Sequence, residues 1–429
     1  MLETAILVGL EQDNQADVFD QAMEELSLLT QTAGAEPLLT VRQKRPSPDP
    51  RYFIGRGKTR EIASLAKELG ATLVIFNDQL SPSQIRNLEK VLAVKVIDRT
   101  ALILDIFACR ARTRAGKLQV ELAQLQYLLP RLTGLGTQLS RLGGGIGTRG
   151  PGETRLEVDR RRIRLRISEL RREIRNLKKQ RLLHRRLRKK RKMIVISLVG
   201  YTNAGKSTLL NTLTGAGLYT EDKLFATLDP SVRRGTIAGG KPVLFSDTVG
   251  FIRRLPSELW TAFQATLEEL GDSNLLLHVV DLSHPDYLNQ LYTVREHLAR
   301  LDSEYYQREV LVFNKLDAVT GRFNRDLLQR EFPGASFISA LTGEGVENLK
   351  QVLLDEITKS YLKVRLYLPY SDQPSYFQVL REGTILDEKY HPRYIEVLAE
   401  LSPSLGERFS CYTVPPAGAT RSSPSEEAF

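Results

Sequence analysis

A chain of 429 residues with 41% hydrophobic and 26% charged side chains is too long for one ordinary core and has the make-up of a soluble globular protein of roughly two to four domains. Cys109 and Cys411 are too far apart in sequence to form a disulfide framework or a metal cluster, which fits a reducing compartment. No run approaches the ~18 apolar residues of a membrane span, and Met1–Leu10 lacks the cationic start of a signal peptide, so the expected location is the cytoplasm. The net charge of +10 is uneven: Arg155–Lys192 holds 19 Lys and Arg against 4 Asp and Glu, leaving the rest of the chain mildly acidic. A block that dense and one-signed is the footprint of a polyanion site, most often for nucleic acid, rather than of a merely solvated helix face.

Residues 1–110 alternate strand and helix signals. Apolar runs at Ala5–Leu10, Pro37–Val41, Thr72–Phe76 and Val94–Ile97 are separated by helical patterns over Gln15–Ala33, Thr59–Leu69 and Ser83–Ala93. This predicts a small α/β subdomain with a largely parallel sheet. Within it, Gly55-Arg-Gly-Lys58 raises the question of a second nucleotide site, but without the full GxxxxGK spacing it reads as a turn opening a helix.

Residues 111–192 follow a different period. Leu118, Leu122, Leu125, Leu129 and Leu132 are spaced 4-3-4-3, and Leu156, Ile163, Ile167, Leu170, Ile174 and Leu177 repeat such a seam. A long antiparallel helical hairpin is expected, with Pro130 kinking or ending its first helix. The break, Gly143–Gly152, contains Gly145-x-Gly147-x-x-Gly150, but a helix precedes it and Pro151 interrupts it, so it is not a dinucleotide fingerprint. It reads either as a flexible linker or as a hairpin tip whose bare backbone and Arg149 press against RNA.

From Met193 the alternation of strand and helix resumes, giving a second α/β domain over 193–361. The strand Met193–Val199 feeds Gly200-Tyr-Thr-Asn-Ala-Gly-Lys-Ser207 and then a helix, the setting a phosphate-binding loop requires. Backbone N–H groups from Asn203 through Ala204, Gly205 and Lys206 to Ser207 are expected to wrap phosphate, with Gly200 and Thr208 flanking them. Lys206 would reach the β and γ phosphates and Ser207 would bind Mg²⁺. Asp247-Thr-Val-Gly250 ends the strand Val243–Ser246; Asp247 would hold Mg²⁺ through water and the Gly250 N–H would sense the γ-phosphate. Thr227, in Phe225–Pro230, is preferred over Thr220 as the switch threonine on the metal. Asn314-Lys315-Leu-Asp317 and Ser339-Ala340-Leu341 follow two further strands. Asp317 would accept from guanine N1–H and its amino group, the Ala340 N–H would meet O6, and the Lys315 stem would lie along the ring.

The candidate catalytic groups are therefore Lys206, Thr227 and Gly250, in a GTP site. Where many GTPases carry a water-orienting Gln after the DxxG glycine, this chain has Phe251, so hydrolysis is expected to be slow alone and raised by a partner. Arg253 and Arg254 read as exposed switch residues rather than as charge stabilisers, and Asn203 as a potassium ligand. Residues 362–418 suggest a small α+β domain, and 419–429 a disordered tail.

Together these motifs resemble the HflX family of translation-associated P-loop GTPases. The resemblance is carried by Tyr52–Lys58, Ile97–Thr100, Leu104–Phe107, Gly116–Ala123, Gly150–Thr154 and the nucleotide motifs, in order over about residues 1–360. It implies an α/β architecture: a P-loop NTPase G domain preceded by a small α/β subdomain plus helical hairpin. It also implies a GTPase, monomeric when free, that binds the large (50S) ribosomal subunit and helps dissociate idle or stalled ribosomes. Arg141, Gly144, Gly145, Arg149, Arg155, Arg160, Arg161 and Arg164 would then face ribosomal RNA. The alternative is a nucleotide-gated protein that binds or remodels a non-ribosomal RNA.

Overall fold

The computed structural model describes residues 3–12, 16–132, 155–190, 193–215, 224–225, 231–248, 250–253, 260, 270–271, 273–319, 324–359, 361–401 and 403–414. Two compact units result: Met1–Thr236 with Pro242–Val346, and Ile237–Lys241 with Glu347–Phe429.

The first unit begins with a four-stranded sheet, ordered β2-β1-β3-β4, from β1 (Glu3–Glu11), β2 (Ala35–Lys44), β3 (Leu73–Phe76) and β4 (Lys95–Asp98). All three pairings are parallel. Side chains alternate between two cores: Ala5, Leu7, Leu73 and Ile75 enter one, Ile6, Val8, Val74 and Phe76 the other. Burial on both faces is why β1, β3 and β4 read as unbroken apolar runs, whereas the edge strand β2 is half-exposed. Helices α1 (Ala16–Ala33) and α4 (Arg99–Arg110) supply the first core, and α2 (Arg56–Leu69) and α3 (Pro82–Leu92) the second. Helix α3 starts on a capping box between Ser81 and Gln84 with Pro82 in its first turn, a local signal that fixes its N-terminus. Gly55 caps α2, and Lys58 pairs with Glu61 at 2.8 Å, so Gly55–Lys58 is the turn and helix start that its spacing suggested.

Helix α5 (Arg114–Leu128) ends two residues before Pro130. It packs against α6 (Arg155–Lys190), 36 residues and thus ~54 Å long at ~1.5 Å per residue. Leu118, Leu122, Ile167 and Leu170 form the buried seam, flanked by Leu125, Leu129, Ile163, Ile174 and Leu177. A bidentate Arg166–Glu121 pair at 2.7 and 3.0 Å crosses between the helices. Buried Asp98 fastens this hairpin to the sheet. Its carboxylate accepts from the Leu80 and Ala101 N–H groups, the Tyr127 hydroxyl at 2.8 Å and Arg131 at 3.1 Å.

The second sheet of this unit is ordered β10-β9-β8-β5-β7-β6. Its strands are β5 (Val195–Gly200), β6 (Ser231–Thr236), β7 (Pro242–Asp247), β8 (Leu275–Asp281), β9 (Glu309–Asn314) and β10 (Ser336–Phe337). Only the edge strand β6 is antiparallel to its neighbour. Helices α7 (Lys206–Thr214), α8 (Tyr287–Leu301) and α9 (Arg325–Glu331) accompany it. One continuous apolar cluster joins the two sheets: Leu7, Leu26, Ile103 and Phe107 share it with Val199, Phe225, Phe251, Ile252 and Val294.

In the second unit, β11 (Leu362–Pro369), β13 (Tyr394–Leu401) and β12 (Thr384–Tyr390) form an antiparallel sheet in that order. Helices α11 (Gln373–Glu382) and α12 (Pro403–Arg408) follow α10 (Val346–Thr358), and Leu366, Val379, Val397 and Phe409 centre the core.

Candidate nucleotide site

The site lies at the carboxyl ends of β5, β7 and β9, where parallel strands deliver their following loops to one edge. Glycine is required at two points of the first loop. A Cβ on Gly200 would stand 2.2 Å from the Val279 carbonyl oxygen, and one on Gly205 2.2 Å from Asn314 Nδ2; Gly205 also has φ +87°. Asn203 holds a left-handed φ of +62°, and among the described residues its amide makes no hydrogen bond. The Lys206 ammonium is buried and donates to the Gly200 and Tyr201 carbonyls at 3.1 and 2.6 Å. An ammonium has three donors, so one remains for an anion. Burial, opposed by Asp247, holds this lysine down at about 8, and an anion beside it would restore its charge.

Ser207, at the start of α7, donates its hydroxyl to Asp247 Oδ2 at 3.0 Å, and Thr208 follows it on the helix. The Thr248 N–H fixes the other Asp247 oxygen at 3.0 Å. Gly250 lies directly over the loop: a Cβ there would be 2.8 Å from Thr202 Cγ2 and 3.1 Å from Lys206 Nζ. Backbone bonds from Thr202 N to Phe251 O (2.8 Å) and from Phe251 N to Gly200 O (3.1 Å) tie the two segments together.

At the other end, Asn314 is a brace. Its amide donates to the Ala204 carbonyl and its oxygen accepts from the Ala340 N–H, both at 2.9 Å. The Ala340 N–H, expected at guanine O6, here donates to Asn314, whose side chain thereby ties the β9 end to both loops. Lys315 pairs with Asp281 at 2.7 Å, and Asp317 accepts from the Ser339 hydroxyl at 2.5 Å. Leu341 projects into solvent.

Phe251 is buried, its ring stacked on His297 at 5.5 Å. Arg253 is not an exposed switch residue: it is ion-paired with Asp286 at 2.5 Å and bonded to Gln21 at 3.4 Å, since the N-terminal helix α1 comes up against this segment. Sequence reasoning missed Glu25, Arg99 and Tyr201, which meet here; partners 176 positions apart leave no local signal. Thr227, Thr220, Arg254, Arg141, Gly144, Gly145, Arg149 and the whole Gly143–Gly152 loop lie outside the described residues, as does the Arg155 side chain.

On α6, Arg161 and Arg164 are exposed and Arg160 half-buried. A groove of about 380 Å³ runs between Gln126, Leu129, Arg164, Ile167, Ser168 and Arg171. Among the described residues no helix is long and apolar enough to cross a membrane.

Three family models match in order: the N-terminal region of GTP-binding GTPases over residues 20–108, their middle region over 110–188, and a 50S ribosome-binding GTPase model over 195–315. A GTP-binding protein from Sulfolobus solfataricus, solved with GDP, aligns at 24% identity and TM-score 0.44 over 83% of this chain and 99% of its own. GTPase HflX of Caldanaerobacter subterraneus is 45% identical over 96% of this chain and 94% of its own length. The Alkalihalophilus pseudofirmus protein of that name is 52% identical over 75% and 76%. For its Escherichia coli counterpart the values are 45% over 86% of both chains. On this identity and coverage, the chain belongs to the HflX GTPase family.

Proposed function

We propose that this GTPase binds the large ribosomal subunit in its GTP state and promotes dissociation of idle or stalled ribosomes, its hydrolysis being stimulated there. The observation that carries the reading is the joining, in one compact unit, of the nucleotide site to a helix with 17 Lys and Arg against 4 Asp and Glu. The match to a 50S ribosome-binding GTPase model over 195–315 supports the same partner. Arg160, Arg161 and Arg164 would contact phosphates of ribosomal RNA, with the 143–152 loop beyond them.

At the nucleotide, Lys206 neutralises phosphate charge and the Gly250 N–H reads the third phosphate. Asp317 selects guanine, and Asn314 holds the two loops at the spacing the base needs. Ser207 and Asp247 form a hydroxyl–carboxylate pair at 3.0 Å, a hard-oxygen donor set that suits Mg²⁺. Ser207 and Thr227 would hold the ion directly and Asp247 through water; when bound it supplies charge neutralisation between the β and γ phosphates. The free amide of Asn203 is a potassium ligand in this reading, and equal GTPase rates in potassium and sodium would remove it.

With Phe251 turned into the core, no side chain at that position orients the attacking water, so hydrolysis is slow until a partner completes the site. The test is the GTPase rate with and without purified large subunits, alongside co-sedimentation with a non-hydrolysable GTP analogue. Stimulation and analogue-dependent binding are expected. Nucleotide-independent pelleting with no stimulation defeats the reading and points to another RNA.

A further inference from the structure

Beside the nucleotide loop, four charged or polar side chains from three layers close on one another. The Tyr201 hydroxyl, on the second residue of the phosphate loop, donates to Glu25 Oε1 of α1 and accepts from the Arg253 N–H at 2.8 Å. Arg99, at the start of α4, donates to Glu25 Oε2 at 2.5 Å, to the Arg253 carbonyl at 3.3 Å and to Asn77 at 3.0 Å. Thus the backbone of Arg253 is gripped at both its N–H and its carbonyl, and its guanidinium is held by Asp286 and Gln21. The side chains of Arg99 and Glu25 are only 5% and 13% exposed. Charged groups at that depth are costly unless paired; here both terminal nitrogens of Arg99 and both Glu25 oxygens are bonded, the Arg99 Nε alone being buried without a partner, so the network is a specified feature of the fold.

Arg253 stands three residues after Gly250, and Gly250 approaches Lys206 so closely that a Cβ there would lie 3.1 Å from Nζ. The geometry points to a latch: Glu25 and Arg99 are positioning residues, acting through Tyr201 and Arg253, that hold the segment following Asp247 closed over the third-phosphate end of the site. This deepens the GTPase reading and does not depend on the ribosome. The latched arrangement brings Gly250 to the position where only a triphosphate reaches it. Loosening the latch therefore weakens GTP and leaves GDP nearly as it was. By reciprocity, a bound triphosphate tightens α1, which carries Glu25 and Gln21, and so transmits the nucleotide state to the N-terminal sheet.

The test uses the full chain with Tyr201→Phe, which removes one hydroxyl, and Glu25→Gln, which keeps shape and removes charge. Dissociation rates are measured by stopped flow for a fluorescent GDP and for a fluorescent non-hydrolysable GTP analogue. A charge-assisted hydrogen bond lost near the third phosphate corresponds to about a tenfold faster release of the analogue, with less than about a twofold change for GDP. Hydrogen exchange should in addition show α1 amides protected by the analogue in the parent protein and not in Tyr201→Phe. Equal acceleration for both nucleotides, as a merely structural contact gives, overturns the latch, and so does no acceleration. Failure of the parent protein to bind either nucleotide would instead strike the site assignment itself.

Discussion

Gly205 and Asn314 set the nucleotide site through a single close approach. With φ at +87° and the Asn314 amide 2.2 Å from where a Cβ would be, Gly205→Ala strains the loop and breaks the brace to Ala204 and Ala340. The expected result is a Kd for GDP and for GTP raised about tenfold or more, measured by titration, with far-UV circular dichroism unchanged. His297 is a second residue whose setting has a measurable consequence. It is stacked between Phe251 and Trp260, and burial, aided by Arg300, pushes its pKa below the ordinary 6.5. Below that value the unfolded chain takes up a proton that the folded chain refuses. Stability is therefore full above pH 6.5 and falls as pH drops towards the folded value. His297→Gln should flatten this acid limb in urea unfolding followed by the fluorescence of Trp260, the chain's one tryptophan.

Elements were legible where their signal is local and hidden where it is shared. The hairpin seam could be read from heptad spacing alone, and Leu118, Leu122, Ile167 and Leu170 do form its buried line. Replacing Leu170, fully buried, by Ala should cost roughly 2–5 kcal/mol locally and lower the helical signal of the hairpin in thermal melts. Helix α4 went unread because Leu102, Ile103, Leu104, Ile106 and Phe107 are all buried and leave only a narrow exposed face at Asp105, Ala108 and Cys109, too weak a periodicity to stand out. The edge strand β6 was equally obscure: Arg233 and Arg234 within it suit an edge that must not pair further but mask a strand pattern. In the nucleotide site, the phosphate loop and the Asn314–Asp317 motif were visible because each is contiguous. The use of the Ala340 N–H by Asn314, the inward turn of Phe251 and the anchoring of Arg253 are long-range pairings, which depend on how the layers stack.

At the scale of the whole molecule, the sheet that carries no nucleotide motif and the sheet that carries them all are halves of one core. Phe107 of α4 meets Phe225 edge-on, ring centroids 4.6 Å apart at 83°, and both are almost fully buried. Phe225 lies two residues before Thr227, so this contact fixes the chain just upstream of the proposed metal-binding threonine. Sharing a core implies shared stability: neither sheet can open without exposing the apolar face of the other. The parent protein should therefore show one calorimetric transition for the unit Met1–Thr236 with Pro242–Val346, raised by GDP or GTP as expected for a ligand that binds only the folded state. Phe107→Ala removes a fully buried ring at the junction and should cost about 3–5 kcal/mol. If the cluster is the coupling, that loss splits the transition in two, and only the later-numbered sheet remains stabilised by nucleotide. A single transition merely shifted to lower temperature would mean that the two sheets are held together by the Glu25–Arg99–Tyr201 network and the hairpin base at Asp98 instead.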